Sequence, residues 1–81
     1  MIDHEGPVPV YRQLAEILRE QILRGDLPPN RPIPSIVRLQ QEYGLARGTV
    51  IKAVQVLVDE GRVYGVPGRG MYVRAGAAEP E

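Results

Sequence analysis

The sequence predicts a mainly α fold in which three helices are followed by a small β-hairpin. Apolar residues recur at helical spacing in three segments, and glycine or proline separates each segment from the next. Two short β-type runs follow the third segment and are joined by the reversal Pro-Gly-Arg-Gly. Because the chain has 81 residues, we expect a single domain with one modest core.

The first helix is predicted over residues 9–24. Its apolar residues share one face at the spacing of a buried helix: Val10, Leu14, Ile17, Leu18 and Ile22. Gly25 ends the helix, and the ten-residue connector that it opens contains four prolines, which disfavour further helix. A short extended third strand near Arg31–Ile33 is one option within this connector.

The second helix is predicted to begin after Ser35, whose hydroxyl is suited to cap a helix. Helical spacing then continues through Ile36, Leu39, Gln40 and Tyr43. Gly44 ends this short helix.

The third helix is predicted over residues 47–60. Many of its residues are β-branched and individually prefer strands, but the segment is longer than an ordinary strand. Its periodicity predicts one buried face made of Val50, Ala53, Val54, Leu57 and Val58. Gly61 then stops the helix.

Residues 62–66 and 71–74 are the two β-type runs of the predicted hairpin. We expect the folded domain to span residues 9–74. Residues 1–8 are predicted to form a flexible N-terminus, and residues 75–81 a flexible acidic tail with nothing to bury.

Helices two and three, joined through Gly44-Leu45-Ala46, match the size of a helix-turn-helix, whose second helix enters the major groove of DNA. Similar helical pairs also occur in unrelated bundles. The hairpin adds a second signal, because Arg69 stands between two glycines at its tip. Small residues let a backbone approach DNA closely while arginine reaches a phosphate or the minor groove. Together these features predict a winged helix-turn-helix.

The segments of this domain resemble the GntR family over nearly all of residues 9–73. The shared features are the Pro34-Ser35 helix start, the Gly-Leu-Ala-Arg-Gly-Thr-Val turn, the Glu60-Gly61 helix end and the Gly68-Arg69-Gly70 wing. The resemblance implies a sequence-specific regulator of transcription that binds double-stranded DNA.

Three site residues follow from the resemblance at the ends of the helix-turn-helix. Ser35 caps a helix whose first amides would face a phosphate, although capping alone is the simpler role. Arg47 and Thr49 match residues at the start of the family's recognition helix, and arginine is able to bind a guanine edge or a phosphate.

The remaining candidates lie near these positions. Gly48 leaves the backbone open to close approach, or is an ordinary glycine at a helix start. Lys52 would reach a backbone phosphate one turn further on. In the wing, Arg69 and Gly70 are expected to contact the DNA.

Three positions depart from the family pattern. An arginine that is common two residues after the Pro-Ser pair is Val37 here, so that contact is either lost or moved to Arg38, which we include among the DNA-binding candidates. Ile51 replaces an arginine that often follows the Thr-Val pair, and Ala46 replaces a capping residue. Ile51 either touches a thymine methyl group or packs against a neighbour within the domain.

The distribution of charge agrees with a nucleic-acid partner although the formal net charge is zero. Residues 9–74 hold all ten basic residues against six acidic ones, which leaves this part of the chain at +4. A chance imbalance on a solvated surface would look the same, so the charge alone does not show that the partner is a nucleic acid.

The composition of the chain argues against several other classes of protein. With no cysteine and one histidine, His4, the chain has no Ser-His-Asp or Cys-His set and no zinc cluster, so we predict no enzyme, cofactor or metal. No apolar run reaches the length of a membrane span, and no secretory signal precedes the domain, so we expect a cytoplasmic protein. No small-molecule effector site is visible.

The main alternative is a winged-helix module that binds protein, for which Ile51 and Val56 would be exposed anchors. If the chain binds DNA as a weak homodimer, we expect a palindromic operator. The sequence is either a natural one-domain regulator or a fragment of a longer one.

Overall fold

The computed structural model describes residues 2–75, so that most of the predicted acidic tail lies outside the described residues. Helices α1, α2 and α3 span Val10–Leu23, Ile36–Tyr43 and Arg47–Asp59, and strands β1 and β2 span Val63–Val66 and Gly70–Val73. The predicted fold class is confirmed, and the helix and strand bounds agree with the prediction to within one residue.

The core lies mainly between α1 and α3, which form the most extensive helix pair of the fold. Leu14, Leu18 and Ile22 of α1 are almost completely buried, as the predicted helical face requires. On α3 the buried side chains are Val50, Ala53, Val54 and Leu57. These positions follow helical spacing, so the gain from burying one face outweighs the preference of the individual β-branched residues for strands.

The turn between α2 and α3 is tight because Gly44 adopts the left-handed conformation, with φ of 66°. Its amide donates to the carbonyl of Gln40, which also accepts from the amide of Leu45 at 3.1 Å. The Leu45 side chain is buried in the core. A glycine stop followed by an inserted apolar residue thus sets the angle between the two helices.

The β-hairpin is closed by Pro67 and Gly68. Gly68 has φ of 76°, and the amide of Arg69 donates to the carbonyl of Val66 at 2.9 Å. Proline followed by a glycine with positive φ is typical of a type II turn. Tyr64 and Tyr72 face each other across the two strands, with ring centroids 6.1 Å apart.

The connector between α1 and α2 pairs with the free edge of β2. Pro32 forms a bridge with Tyr72, and the amide of Asn30 donates to the carbonyl of Val73 at 2.8 Å. The amide of Ile33 donates to the carbonyl of Met71, and that of Val73 to the carbonyl of Arg31, both at 2.9 Å. A short extended segment therefore lies beside the hairpin at the predicted place, although it is an isolated bridge instead of a full strand.

The segment before α1 makes specific contacts with that helix. The amide of Asp3 donates to Oε1 of Gln13 at 2.6 Å, and Nε2 of Gln13 donates to the carbonyls of Asp3 and Val8 at 2.7 and 2.8 Å. Ile2 packs against the core. The flexibility of residues 1–8 remains a prediction, but these contacts give the segment a defined path.

An ion cluster joins α1 to the end of α3. Nε and Nη2 of Arg19 donate to the two carboxylate oxygens of Glu60 at 2.9 and 2.6 Å, and Nε of Arg62 donates to Oε1 of Glu60 at 3.0 Å. The hydrogen bond from Arg19 holds the pKa of Glu60 below its ordinary value of 4.5, despite the opposing effect of partial burial. The cluster stabilises the fold most when Glu60 is ionised.

We predict that Glu60→Gln makes the free energy of unfolding less sensitive to acid. Because the folded pKa of Glu60 lies below the unfolded one, its contribution is full above about pH 4.5 and is lost as pH falls through the folded pKa. The Arg19 and Glu60 side chains are 28% and 33% exposed, so solvent screening limits the loss on substitution at neutral pH to about 1 kcal/mol or less.

Urea unfolding of both proteins at a series of pH values from neutral to about pH 3 measures this effect. Glu20→Gln, which removes an exposed carboxylate outside the cluster, is the control. If the curves of unfolding free energy against pH for Glu60→Gln and the unaltered chain run parallel, the ion cluster does not stabilise the fold.

Candidate nucleic-acid interface

The start of α2 is capped by Ser35. Its Oγ accepts from the amide of Arg38 at 3.1 Å, and its backbone is extended at the point where the helix begins. The first amides of a helix have no acceptor within the helix itself and carry partial positive charge. The N-terminus of α2 is therefore a place where an anion would be stabilised.

The outer side of α3 presents an exposed stripe, which we define as Arg47, Gly48, Ile51, Lys52 and Gln55. These positions recur at intervals of three to four residues, opposite the buried face of the helix. Thr49 lies beside the stripe and is half-buried. The stripe is thus available to a partner along about two turns of helix.

Two side chains of the exposed stripe are held by neighbours. Nζ of Lys52 lies 5.2 Å from the centre of the Tyr11 ring, an arrangement that stabilises a cation over an aromatic face. Nε2 of Gln55 donates to Oδ1 of Asp59 at 2.9 Å. Sequence reasoning did not identify the contact between Lys52 and Tyr11, because it joins two helices that are distant in the chain.

A groove of about 470 Å³ separates the start of α2 from the hairpin. Ser35 and Val37 line one side, and Arg69 and Gly70 line the other. Three of the predicted site residues, Ser35, Arg69 and Gly70, therefore meet at one place. Arg69 itself is exposed at the tip of the hairpin.

A second groove of about 340 Å³ lies between α3 and the hairpin. Ile51 and Gln55 of the exposed stripe line it together with Ile36, Gly70 and Met71. Because Gly70 borders both grooves, the exposed stripe, the hairpin and the start of α2 form one continuous surface. Arg38 lines neither groove, and its Nε lies 3.9 Å from Oε2 of Glu42 on the same helix.

Some basic side chains of the molecule form ion pairs with carboxylates and others do not. Within residues 2–75, the arginines that form ion pairs are Arg19, Arg24, Arg38 and Arg62. Six basic residues form no ion pair in this part of the chain: Arg12, Arg31, Arg47, Lys52, Arg69 and Arg74. Three of these six, Arg47, Lys52 and Arg69, lie on the exposed stripe or at the tip of the hairpin. The continuous surface therefore carries positive charge that is not neutralised by a neighbouring carboxylate, as expected of a surface that binds an anionic partner.

Val56, expected as an exposed anchor for a protein partner, is instead partly buried against the core. It lines a groove together with Val8 and Arg12, so the segment before α1 and the first turn of that helix lie beside it. This expectation was wrong because residues 1–8 were not assigned a place on the domain.

The sequence profile of the bacterial regulatory proteins of the gntR family matches residues 10–73. The chain belongs to the GntR family. Two curated relatives are similar to it: the HTH-type transcriptional repressor NagR of Bacillus subtilis, 40% identical over 72 residues, and the mannosyl-D-glycerate transport/metabolism system repressor MngR of Escherichia coli, 42% identical over 69 residues. These matches cover 89% and 85% of the chain but 30% and 29% of the relatives, so the chain spans about a third or less of their length.

Solved structures of two transcription regulators have the same fold. YtrA of Sulfolobus acidocaldarius, a GntR-family transcription factor, superposes with a TM-score of 0.84 at 39% identity, over 93% of this chain and 79% of that one. The DNA-binding domain of AraR in complex with operator ORX1 superposes with a TM-score of 0.82 at 33% identity, over 90% of this chain and 94% of that one. The fold is thus the winged helix-turn-helix of GntR DNA-binding domains.

In the part of the chain that the structure describes, no helix has the length and apolar character needed to cross a membrane. No group of three or more acidic or histidine side chains in residues 2–75 is placed to hold a metal ion.

Gly48 has open space around it: a Cβ built at this position meets no atom within 4 Å. Because glycine in a helix is less favourable than alanine, we predict that Gly48→Ala raises the free energy of unfolding by roughly 0.5 kcal/mol. Gly44→Ala is the matched control, since its φ of 66° makes any side chain unfavourable and the fold should lose stability. Thermal unfolding of the two variants shows whether each one gains or loses stability. Destabilisation by Gly48→Ala would show that the fold requires glycine at this position.

Proposed function

We propose that this chain binds double-stranded DNA in a sequence-specific manner and is the DNA-binding part of a regulator of transcription. The observation that carries the proposal is the continuous surface formed by the exposed stripe of α3 and the hairpin, with Arg47, Lys52 and Arg69 outside any ion pair of the described residues. Its relatives are named as repressors, and the AraR domain of similar fold was solved with operator DNA.

In this proposal α3 is the recognition helix and lies in the major groove, which is wide enough to admit a helix. Arg47, in the first turn, donates to the edge of a guanine or to a phosphate. Thr49 flanks it, and Gly48 lets the helix approach the groove closely. The open space around Gly48 supports this role, because no packing within the domain requires the absence of a side chain there.

Phosphates are contacted at both sides of α3. Ser35 and the first amides of α2 receive one phosphate in the groove beside the hairpin, and Arg38 contacts the backbone nearby. Lys52, steadied over the Tyr11 ring at 5.2 Å, binds another phosphate as a point charge. These contacts set the position of α3 and carry no sequence information of their own.

The hairpin acts as the wing. Arg69 reaches a phosphate or enters the minor groove, and Gly70 allows the backbone to approach. The regulator acts in the cytoplasm, on the bacterial chromosome. On a palindromic operator two copies dimerise weakly, with their recognition helices about 34–36 Å apart, one turn of the double helix.

The direct test is selection of bound duplexes from a randomised DNA pool by the purified chain at two salt concentrations. The expected result is enrichment of a short palindromic motif, with affinity that falls as salt rises, because each phosphate contact releases counterions. Failure to enrich any duplex even at low salt would refute the proposed function. Enrichment of single half-sites by a monomer would refute only the dimer.

We predict that Arg47→Ala weakens binding to the selected duplex by about 1–3 kcal/mol and relaxes the preference at one base pair. A titration against the selected duplex and its single-base variants measures both effects. Arg24→Ala is the control, because Arg24 is exposed and paired with Asp26 at 3.0 Å away from the proposed interface. If Arg47→Ala and the unaltered chain bind the selected duplex with equal affinity, Arg47 does not contact the DNA.

We predict that Arg69→Ala weakens binding to all duplexes alike and reduces the slope of log affinity against log salt by about one unit, as expected when one phosphate contact is lost. Titrations at several salt concentrations with selected and unrelated duplexes give this slope. A loss confined to particular sequences would instead assign Arg69 to the minor groove.

A further inference from the structure

Ile51 is an apolar residue in the middle of a polar surface. It occupies the centre of the exposed stripe, four residues after Arg47 and four before Gln55, and 44% of its surface is exposed. The core does not need it, because Val50, Val54 and Leu57 already fill the buried face of α3. Packing in the core therefore does not account for an isoleucine at this position.

The surroundings of Ile51 leave it accessible to a partner. It lines the groove of about 340 Å³ between α3 and the hairpin, where its neighbours are the apolar side chains of Ile36 and Met71. Gly70, on the opposite side of this groove, has no side chain that would cover Ile51. The Ile51 side chain thus stands open between the two elements that the proposed function places on DNA.

The major groove offers an isoleucine only one apolar feature, the C5-methyl group of thymine. A guanine, cytosine or adenine edge facing Ile51 would exchange hydrogen bonds with water for an apolar contact, which is unfavourable. An isoleucine here thus favours thymine both by the contact it makes and by the hydrogen bonds it denies to other bases.

We propose that Ile51 is a specificity-determining residue that reads the methyl group of one thymine in each half-site. This inference rests on the proposed function, with α3 in the major groove. A separation of four residues corresponds to a rise of about 6 Å along the helix, so the thymine lies within about two base pairs of the contact made by Arg47. The recognised half-site thus combines a contact of Arg47 with a nearby A·T pair.

The test replaces each thymine of the selected duplex, one at a time, by deoxyuridine, which lacks only the methyl group. For the unaltered chain we expect one position per half-site at which affinity falls about fourfold, the effect of burying one methyl-sized group. The same substitution should have no effect on Ile51→Ala. Leu23→Ala is the matched control, because Leu23 is 47% exposed on α1, outside the stripe, and should keep the full deoxyuridine effect.

A second variant, Ile51→Arg, should acquire a new base preference, which a merely structural role of Ile51 would not produce. Selection from the randomised pool should move the preference at this position from A·T towards G·C, because arginine pairs with the guanine edge. The proposal is overturned if no thymine responds to loss of its methyl group, or if Ile51→Ala keeps the response. Absence of duplex binding by the unaltered chain refutes the proposed function itself, whereas bound duplexes without a methyl effect refute only the role of Ile51.

Discussion

Leu14, Leu18 and Ile22 of α1 are almost completely buried in the core that α1 forms with α3. This packing decides which side of α3 remains at the surface, since successive residues of a helix are rotated by about 100°. With Val50 and Leu57 in the core, the exposed stripe must carry Arg47, Ile51 and Gln55. The position of the hairpin depends on the same packing, because β1 follows α3 after a short turn and begins in the core at Val63.

Although the net charge of the chain is zero, its charged residues differ in whether they have a partner of opposite charge. Glu60 is engaged by Arg19 and Arg62 at the end of α3, where the charges hold elements together. At the opposite end of the same helix Arg47 has no acidic partner within residues 2–75. If the chain binds DNA as proposed, its zero net charge gives little long-range attraction for polyanions, so binding depends on short-range contacts of the exposed stripe and the hairpin with phosphates and bases.

The fold was predictable from the sequence because its signals are local. Helical periodicity, Ser35 at a helix start and Gly44, Gly61 and Gly68 at turns each specify a conformation within a few residues. The contacts of Lys52 with Tyr11 and of Arg19 with Glu60 were not predictable, since they depend on how α1 is oriented on α3. Ile51 shows the limit most clearly: the sequence left its burial or exposure open, because an apolar residue on the outer side of α3 is covered or not according to where the hairpin lies.

The hairpin is tied to the connector by three hydrogen bonds, from Asn30 and Ile33 to β2 and from Val73 to Arg31. It is therefore held from both edges of β2, by β1 on one side and by the proline-rich connector on the other. A loop that became ordered only on contact would lose conformational entropy at that moment and weaken association accordingly. Here much of that entropy is already lost during folding, so the hairpin that carries Arg69 is formed before contact with any partner.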